Sequence, residues 1–187
     1  MKRFILISLF TLAGSSVLVE DFVYSGTLSI INPYQPKYHT IESDDKGMIP
    51  ESLKKVLSQW TPGEESQDIP KFLYINPTGA NPTGTVLPLD RRQEIYRLCC
   101  EYNLILMEDD PYYYLQFEEK SLRPPSFFSL DTEGRVLRFD SFSKILSSGI
   151  RLGFVTGPKP LIDRIVLHMQ VRNSNTIDSL DYLICLG

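Results

Sequence analysis

The sequence predicts an α/β fold, a mostly parallel sheet covered by helices, from three observations. Short apolar runs recur at about residues 17–20, 38–42, 71–75, 103–108, 136–140 and 152–156. Helical stretches at 50–60, 89–102 and 160–171 fall between them. With 187 residues and 42% hydrophobic content, the chain can bury one core at the upper range of usual domain size.

The elements follow in order. Lys2 and Arg3 precede an apolar run from Phe4 to Leu12, the shape of a secretory signal, although no A-x-A cleavage site follows. The run is too short for a membrane span, which takes about 20 apolar residues. A third reading is an altered start of the reading frame that packs as a strand or helix. The strands at 17–20 and 38–42 and the helix at 50–60 open the alternation. The polar, breaker-rich run at 61–69 and the similar one at 118–128 read as surface loops rather than domain linkers.

After the strand-like run KFLYI, the tetrad Asn-Pro-Thr-Gly occurs twice, at Asn76–Gly79 and Asn81–Gly84, ahead of the helix that starts near Leu89. Either copy reads as a structural turn; the Pro and Gly of the second fix a tight loop that aims Asn81 back at the strand edge. The next apolar run, Leu104 to Met107, stops on Glu108, Asp109 and Asp110 before Pro111. Ligands collect at the carboxyl edge of open α/β sheets, so a carboxylate there can face one, with Tyr112 and Tyr113 on the following loop. The acids also read as a solvated turn. Adjacent acids repel, so at least one should point to water.

The strand at 136–139 leads into Ser141-Phe142-Ser143-Lys144, with Arg151 seven residues on. Lys144 lies on a turn after a strand. Two hydroxyls, a lysine and an arginine can surround one anion here, because Gly149 and Gly153 let the backbone bend close to it. A phosphate fits that description; a solvated lysine in a serine-rich loop is the alternative.

A net charge of −4 without a basic cluster excludes an electrostatic footprint for nucleic acid. Cys99 and Cys100 are neighbours on a predicted helix and Cys185 is near the end of the chain, so reduced thiols are expected. His39 and His168 have no metal-ligand spacing with the cysteines, and no metal is expected.

Asn-Pro-x-Gly, Asp-x-Pro-Tyr and Ser-x-Ser-Lys with Arg seven residues on, in this order, resemble the fold-type I aminotransferases (class I/II) that use pyridoxal 5'-phosphate. The stretches VLVEDFVYSGTL, NPTG, EDDPYYYLQF and DSFSKILSSGIRLGFVTGPKPLI are similar to the kynurenine/α-aminoadipate aminotransferase branch. The resemblance implies an α/β/α three-layer sandwich, the incomplete large domain of that fold, and transfer of an amino group from an amino acid to a 2-oxo acid. It implies that Lys144 forms the Schiff base with the cofactor and shuttles the proton, helped by partial burial beside Arg151. Asp109 pairs with the pyridine nitrogen, while Asn81 and Tyr112 bond the phenolic oxygen. Ser141, Ser143 and Arg151 take the phosphate, and Tyr24 stacks on the ring.

The resemblance covers about residues 15–170. Residues 1–14 form an atypical apolar segment, 15–171 a partial cofactor-binding domain, and 172–187 an atypical tail with the small domain missing. Arg172 is the only arginine of that tail and stands in no recognisable context for a substrate-carboxylate clamp. A catalytically inactive short form that binds the cofactor or a full-length partner is the competing expectation. The resemblance admits a homodimer and an intracellular site, cytoplasmic or mitochondrial, which the signal-like start leaves open.

Overall fold

A computed structural model describes residues 14–63, 66, 68–117, 119, 123–149, 152–172 and 182–186. Arg151 and most of the first 14 residues lie outside the described residues, as does most of the segment after Arg172.

A seven-stranded sheet in the order β2-β1-β5-β6-β7-β8-β9 forms the middle layer. Its strands are β1 (Ser16–Glu20), β2 (Lys37–Ile41), β5 (Phe72–Ile75), β6 (Ile105–Asp109), β7 (Val136–Ser141), β8 (Gly153–Gly157) and β9 (Tyr182–Leu186). All neighbours run parallel except β7 and β8, which are antiparallel. A two-stranded ribbon, β3 (Ser43–Asp44) with β4 (Gly47–Met48), stands outside the sheet. Gly153 makes the antiparallel switch possible: a side chain there would run into the Asp140 carbonyl oxygen across the pair.

Alternation along each strand builds the other two layers, because successive side chains leave a sheet on opposite faces. Leu18, Leu73, Ile75, Leu106 and Val136 pack against α2 (Pro50–Leu57), α3 (Leu89–Glu101) and α4 (Phe127–Leu130) through Leu53, Leu57, Ile95, Leu98 and Phe127. Val17, Val19, Phe72, Tyr74, Met107, Leu137 and Phe139 face α1 (Ser25–Ile31) and α5 (Lys159–Arg172) through Ile31, Ile162 and Ile165. Burial on both faces explains why the central strands read as apolar runs rather than alternating ones.

Six of these strands match the apolar runs within two residues, and the three long helices match the helical stretches. Among the described residues, α1, the β3–β4 ribbon, α4 and β9 were not anticipated. The first and third have four to seven residues, too few for a 3.6-residue period to register. β9 lies in the tail, where the resemblance stops.

Candidate active site

The carboxyl ends of β5, β6 and β7 meet at one edge of the sheet, and the candidate residues follow directly on them. Asp109 closes β6 on the face shared with Met107 and Tyr74. Its Oδ2 accepts the Tyr74 phenol at 2.7 Å, and the Thr27 hydroxyl of α1 donates to the phenol oxygen at 3.0 Å. Its main-chain oxygen accepts the Asn76 side-chain amide.

Asn76 also uses its side-chain oxygen, which accepts the Asn81 N–H at 2.8 Å. The first Asn-Pro-Thr-Gly copy is therefore the one welded to the sheet. Pro77 gives its carbonyl to Leu87 N–H and to the Arg92 guanidinium, and Thr78 donates its hydroxyl to Asp110 at 3.2 Å. The second copy is an exposed turn from Pro82 to Gly84, with Asn81 half-buried at its start. The resemblance, which singles out Asn81, left Asn76 as a plain turn residue; the hint in the sequence was the repeat itself.

All three acids that end β6 are buried: Glu108 and Asp110 are fully covered and Asp109 is 9% exposed. The expectation that one would point to water is corrected by the arginines that meet them. Arg138, on β7, lies 3.3 Å from both Glu108 and Asp110 and grips Asp140 through two bonds of 2.9 and 3.0 Å. Its guanidinium also lies over the Tyr113 ring, 4.5 Å from the centroid. Glu108 accepts the Phe127 and Phe128 N–H groups at the start of α4. Desolvation outweighs these partners, so burial pushes the Asp110 carboxyl up to about 7.

A further buried carboxyl ends β1. Glu20 receives the backbone N–H groups of Asn76 and Met48, yet burial pushes it up to about 7. Sequence reasoning missed it, because an acid closing a strand beside Asp21 looks like an ordinary polar exit.

Lys144 sits in the turn after β7, where Ser141 Oγ accepts the Ser143 N–H at 3.2 Å and Leu146 N–H bonds back to the Phe142 carbonyl. Its Nζ reaches over the Tyr112 ring, 5.6 Å from the centroid. Tyr112 in turn packs against the first tetrad, since a side chain at Gly79 would touch its Cβ at 3.5 Å. The lysine is exposed rather than partly buried, and a Phe142–Phe154 ring contact helps hold its turn to the sheet. Tyr24 precedes α1 with its ring folded against Gly26 and 41% of its surface open.

A mostly parallel sheet with an acid, an asparagine, a tyrosine and a lysine gathered on its carboxyl edge is the arrangement in which open α/β folds hold small-molecule ligands. The family model for aminotransferase class I and II matches residues 2–177, and the chain belongs to that family, whose members depend on pyridoxal phosphate. It is 53% identical over 162 residues to the mitochondrial kynurenine/alpha-aminoadipate aminotransferase of Rattus norvegicus, and 48% identical over 161 residues to that of Bos taurus. Each match covers 84% of this chain and 37% of the relative, so the chain spans little over a third of their length. The crystal structure of Pyrococcus horikoshii kynurenine aminotransferase, in complex with PMP, superposes with a TM-score of 0.78 at 33% identity. That match covers 91% of this chain and 41% of that one.

Proposed function

We propose that this chain is the cofactor-binding part of a pyridoxal-phosphate transaminase. It would move the amino group of a kynurenine, α-aminoadipate or aromatic-type amino acid to a 2-oxo acid such as 2-oxoglutarate. The observation that carries this reading is the meeting of Lys144 with Tyr112, three residues beyond Asp109, at the carboxyl edge of the sheet.

The donor set fits the cofactor. A carboxylate suits a pyridine nitrogen, a primary amine suits an aldehyde, and the Ser141 and Ser143 hydroxyls with Arg151 suit a phosphate. When bound, the cofactor supplies an electron sink for negative charge at the substrate α-carbon. Asp109, anchored through its side chain to Tyr74 and through its carbonyl to Asn76, is the carboxyl that would face the ring nitrogen and favour its protonated form. Lys144 is the residue whose amine would hold the cofactor's aldehyde and would serve as the base that moves a proton at the substrate α-carbon. Asn81 and Tyr112 would bond the ring's phenolic oxygen, and Tyr24 would cover a ring face. The names of the rat and bovine relatives support the donor class and a mitochondrial location.

Purified protein incubated with pyridoxal phosphate and reduced with borohydride should carry the adduct on the Lys144 peptide. Lys144→Ala should lose it. An adduct spread over other lysines, with none on Lys144, removes the assignment.

A second reading is an inactive chain that binds the cofactor or docks on a longer partner, including a second copy. It is favoured by the openness of the lysine's own turn, where Ile145 is 41% exposed and Leu146 68%. Turnover of kynurenine or aminoadipate with 2-oxoglutarate by the chain alone would reject it.

A further inference from the structure

Asp109 is tied to the helix that follows Tyr24 by two consecutive hydrogen bonds, and every group in that chain is buried. Thr27, in the first turn of α1, is 2% exposed and donates to the Tyr74 oxygen at 3.0 Å; Tyr74, on β5, is 3% exposed and donates to Asp109 Oδ2 at 2.7 Å. The direction is fixed by the donors themselves. A phenol has one proton, so once Thr27 supplies a hydrogen to the oxygen, the phenol proton goes to the carboxylate. A neutral donor on an ionised acceptor makes the shorter, stronger kind of bond, and a donor behind it strengthens it further. The 2.7 Å and 3.0 Å lengths follow that order.

Resting on the function proposed above, we propose that Tyr74, oriented by Thr27, is a positioning residue that sets the plane of the Asp109 carboxylate toward the cofactor's ring nitrogen. The phenol holds Oδ2 from the β5 side and the Asn76 amide holds the carbonyl of the same residue, so Asp109 is gripped at side chain and main chain by one strand and the loop after it. Because Thr27 lies three residues beyond Tyr24, the same chain of bonds couples the segment carrying the ring-covering tyrosine to the acid. Tyr74 itself touches neither substrate nor cofactor in this role; it acts through Asp109.

The fold alone does not require the phenol. Tyr74 packs with Phe72, Val19 and Met107 on the apolar face toward α1, where a phenylalanine would fill the same space. A carboxylate and a hydroxyl at the end of that face are what make the oxygen necessary.

The test uses the full chain with pyridoxal phosphate as the probe, with two readouts: the dissociation constant from fluorescence quenching, and the pH titration of the bound cofactor's absorbance. Tyr74→Phe should weaken binding about tenfold and shift the absorbance midpoint, because the charge on the ring nitrogen answers to the acid facing it. Thr27→Val, which keeps the shape and removes the donor, should produce the same changes at about threefold. Thr27→Ser should restore both. Should Tyr74→Phe fold poorly, the Thr27 pair carries the decision alone. Wild-type protein that binds on Lys144, with Tyr74→Phe and Thr27→Val matching it in both readouts, overturns the role of Tyr74 and leaves the cofactor reading standing. Wild-type protein that takes no cofactor on Lys144 overturns both.

Discussion

Asn76 donates its side-chain amide to the Asp109 carbonyl and accepts the Asn81 N–H, so one residue sets the spacing between the acid that ends β6 and the second Asn-Pro-Thr-Gly turn. Neither bond uses the side chain of Asp109 or Asn81, so both backbones are fixed while Asp109 Oδ2 is held separately by the Tyr74 phenol. Asn76→Ala removes both bonds and strands a buried carbonyl and an N–H, each costing about 1–3 kcal/mol. The expected loss in urea unfolding is about 2–4 kcal/mol, with pyridoxal-phosphate affinity falling at least tenfold. Asn81→Ala should lower affinity with under about 1 kcal/mol of destabilisation. Equal destabilisation by the two variants would refute the division of labour between the copies.

The arginine cluster gives a prediction with the opposite balance. Arg138 is the cation shared by Glu108, Asp110 and Asp140. Arg138→Met fills a similar volume but leaves buried acids without that partner, at a cost of about 3–5 kcal/mol. Asp110 already favours its neutral form, so lowering the pH toward 5 should return part of the loss as it takes a proton. Thermal unfolding of Arg138→Met against wild type at pH 5 and pH 8 should show a smaller gap at the lower pH.

Much of this site was legible in the sequence because its parts sit where a strand ends. Asp109 and Ser141 each close an apolar run, the strongest local signal a parallel strand gives, whereas Asn81 was singled out by the resemblance. Tyr112 and Lys144 followed from the same edges. The supporting residues stayed hidden for physical reasons. Tyr74, Thr27 and Arg138 act across strands and layers, through contacts 35, 47 and 28 residues apart in sequence, and no local pattern encodes a partner at that range. The three buried acids misled for the same reason: repulsion between neighbours is local, whereas the arginine that offsets it comes from another strand.

Gly26 sets the posture of Tyr24. A Cβ at this position would enter the space of the Tyr24 ring, and the ring, as the free end of a flexible side chain, must swing away. Alanine is the better helix former by about 0.5–1 kcal/mol, so Gly26→Ala should leave stability unchanged or slightly raised. Pyridoxal-phosphate affinity should nevertheless fall about three- to tenfold, the worth of an aromatic contact of about 0.5–1.5 kcal/mol. Fluorescence titration beside a thermal melt separates the two effects; unchanged affinity removes Tyr24 from the ring face.

Glu20 makes stability itself depend on pH. Burial raises its carboxyl from 4.5 to about 7, so the folded chain binds a proton that the unfolded chain has released between those values. Stability from this group is fully present below about pH 4.5 and is lost as pH rises through about 7. At 1.36 kcal/mol per pH unit the loss is roughly 3 kcal/mol. Glu20→Gln keeps the shape without the titration, at the expense of one of the two bonds from Asn76 and Met48 N–H, since an amide offers a single acceptor oxygen. Urea unfolding of both proteins at pH 5, 6, 7 and 8 should therefore show wild type ahead at pH 5 and the gap closing by roughly 2.5 kcal/mol by pH 8. Asp110 titrates in the same window in both proteins and cancels in the difference, so parallel curves would mean that Glu20 ionises as freely in the folded chain as in the unfolded one.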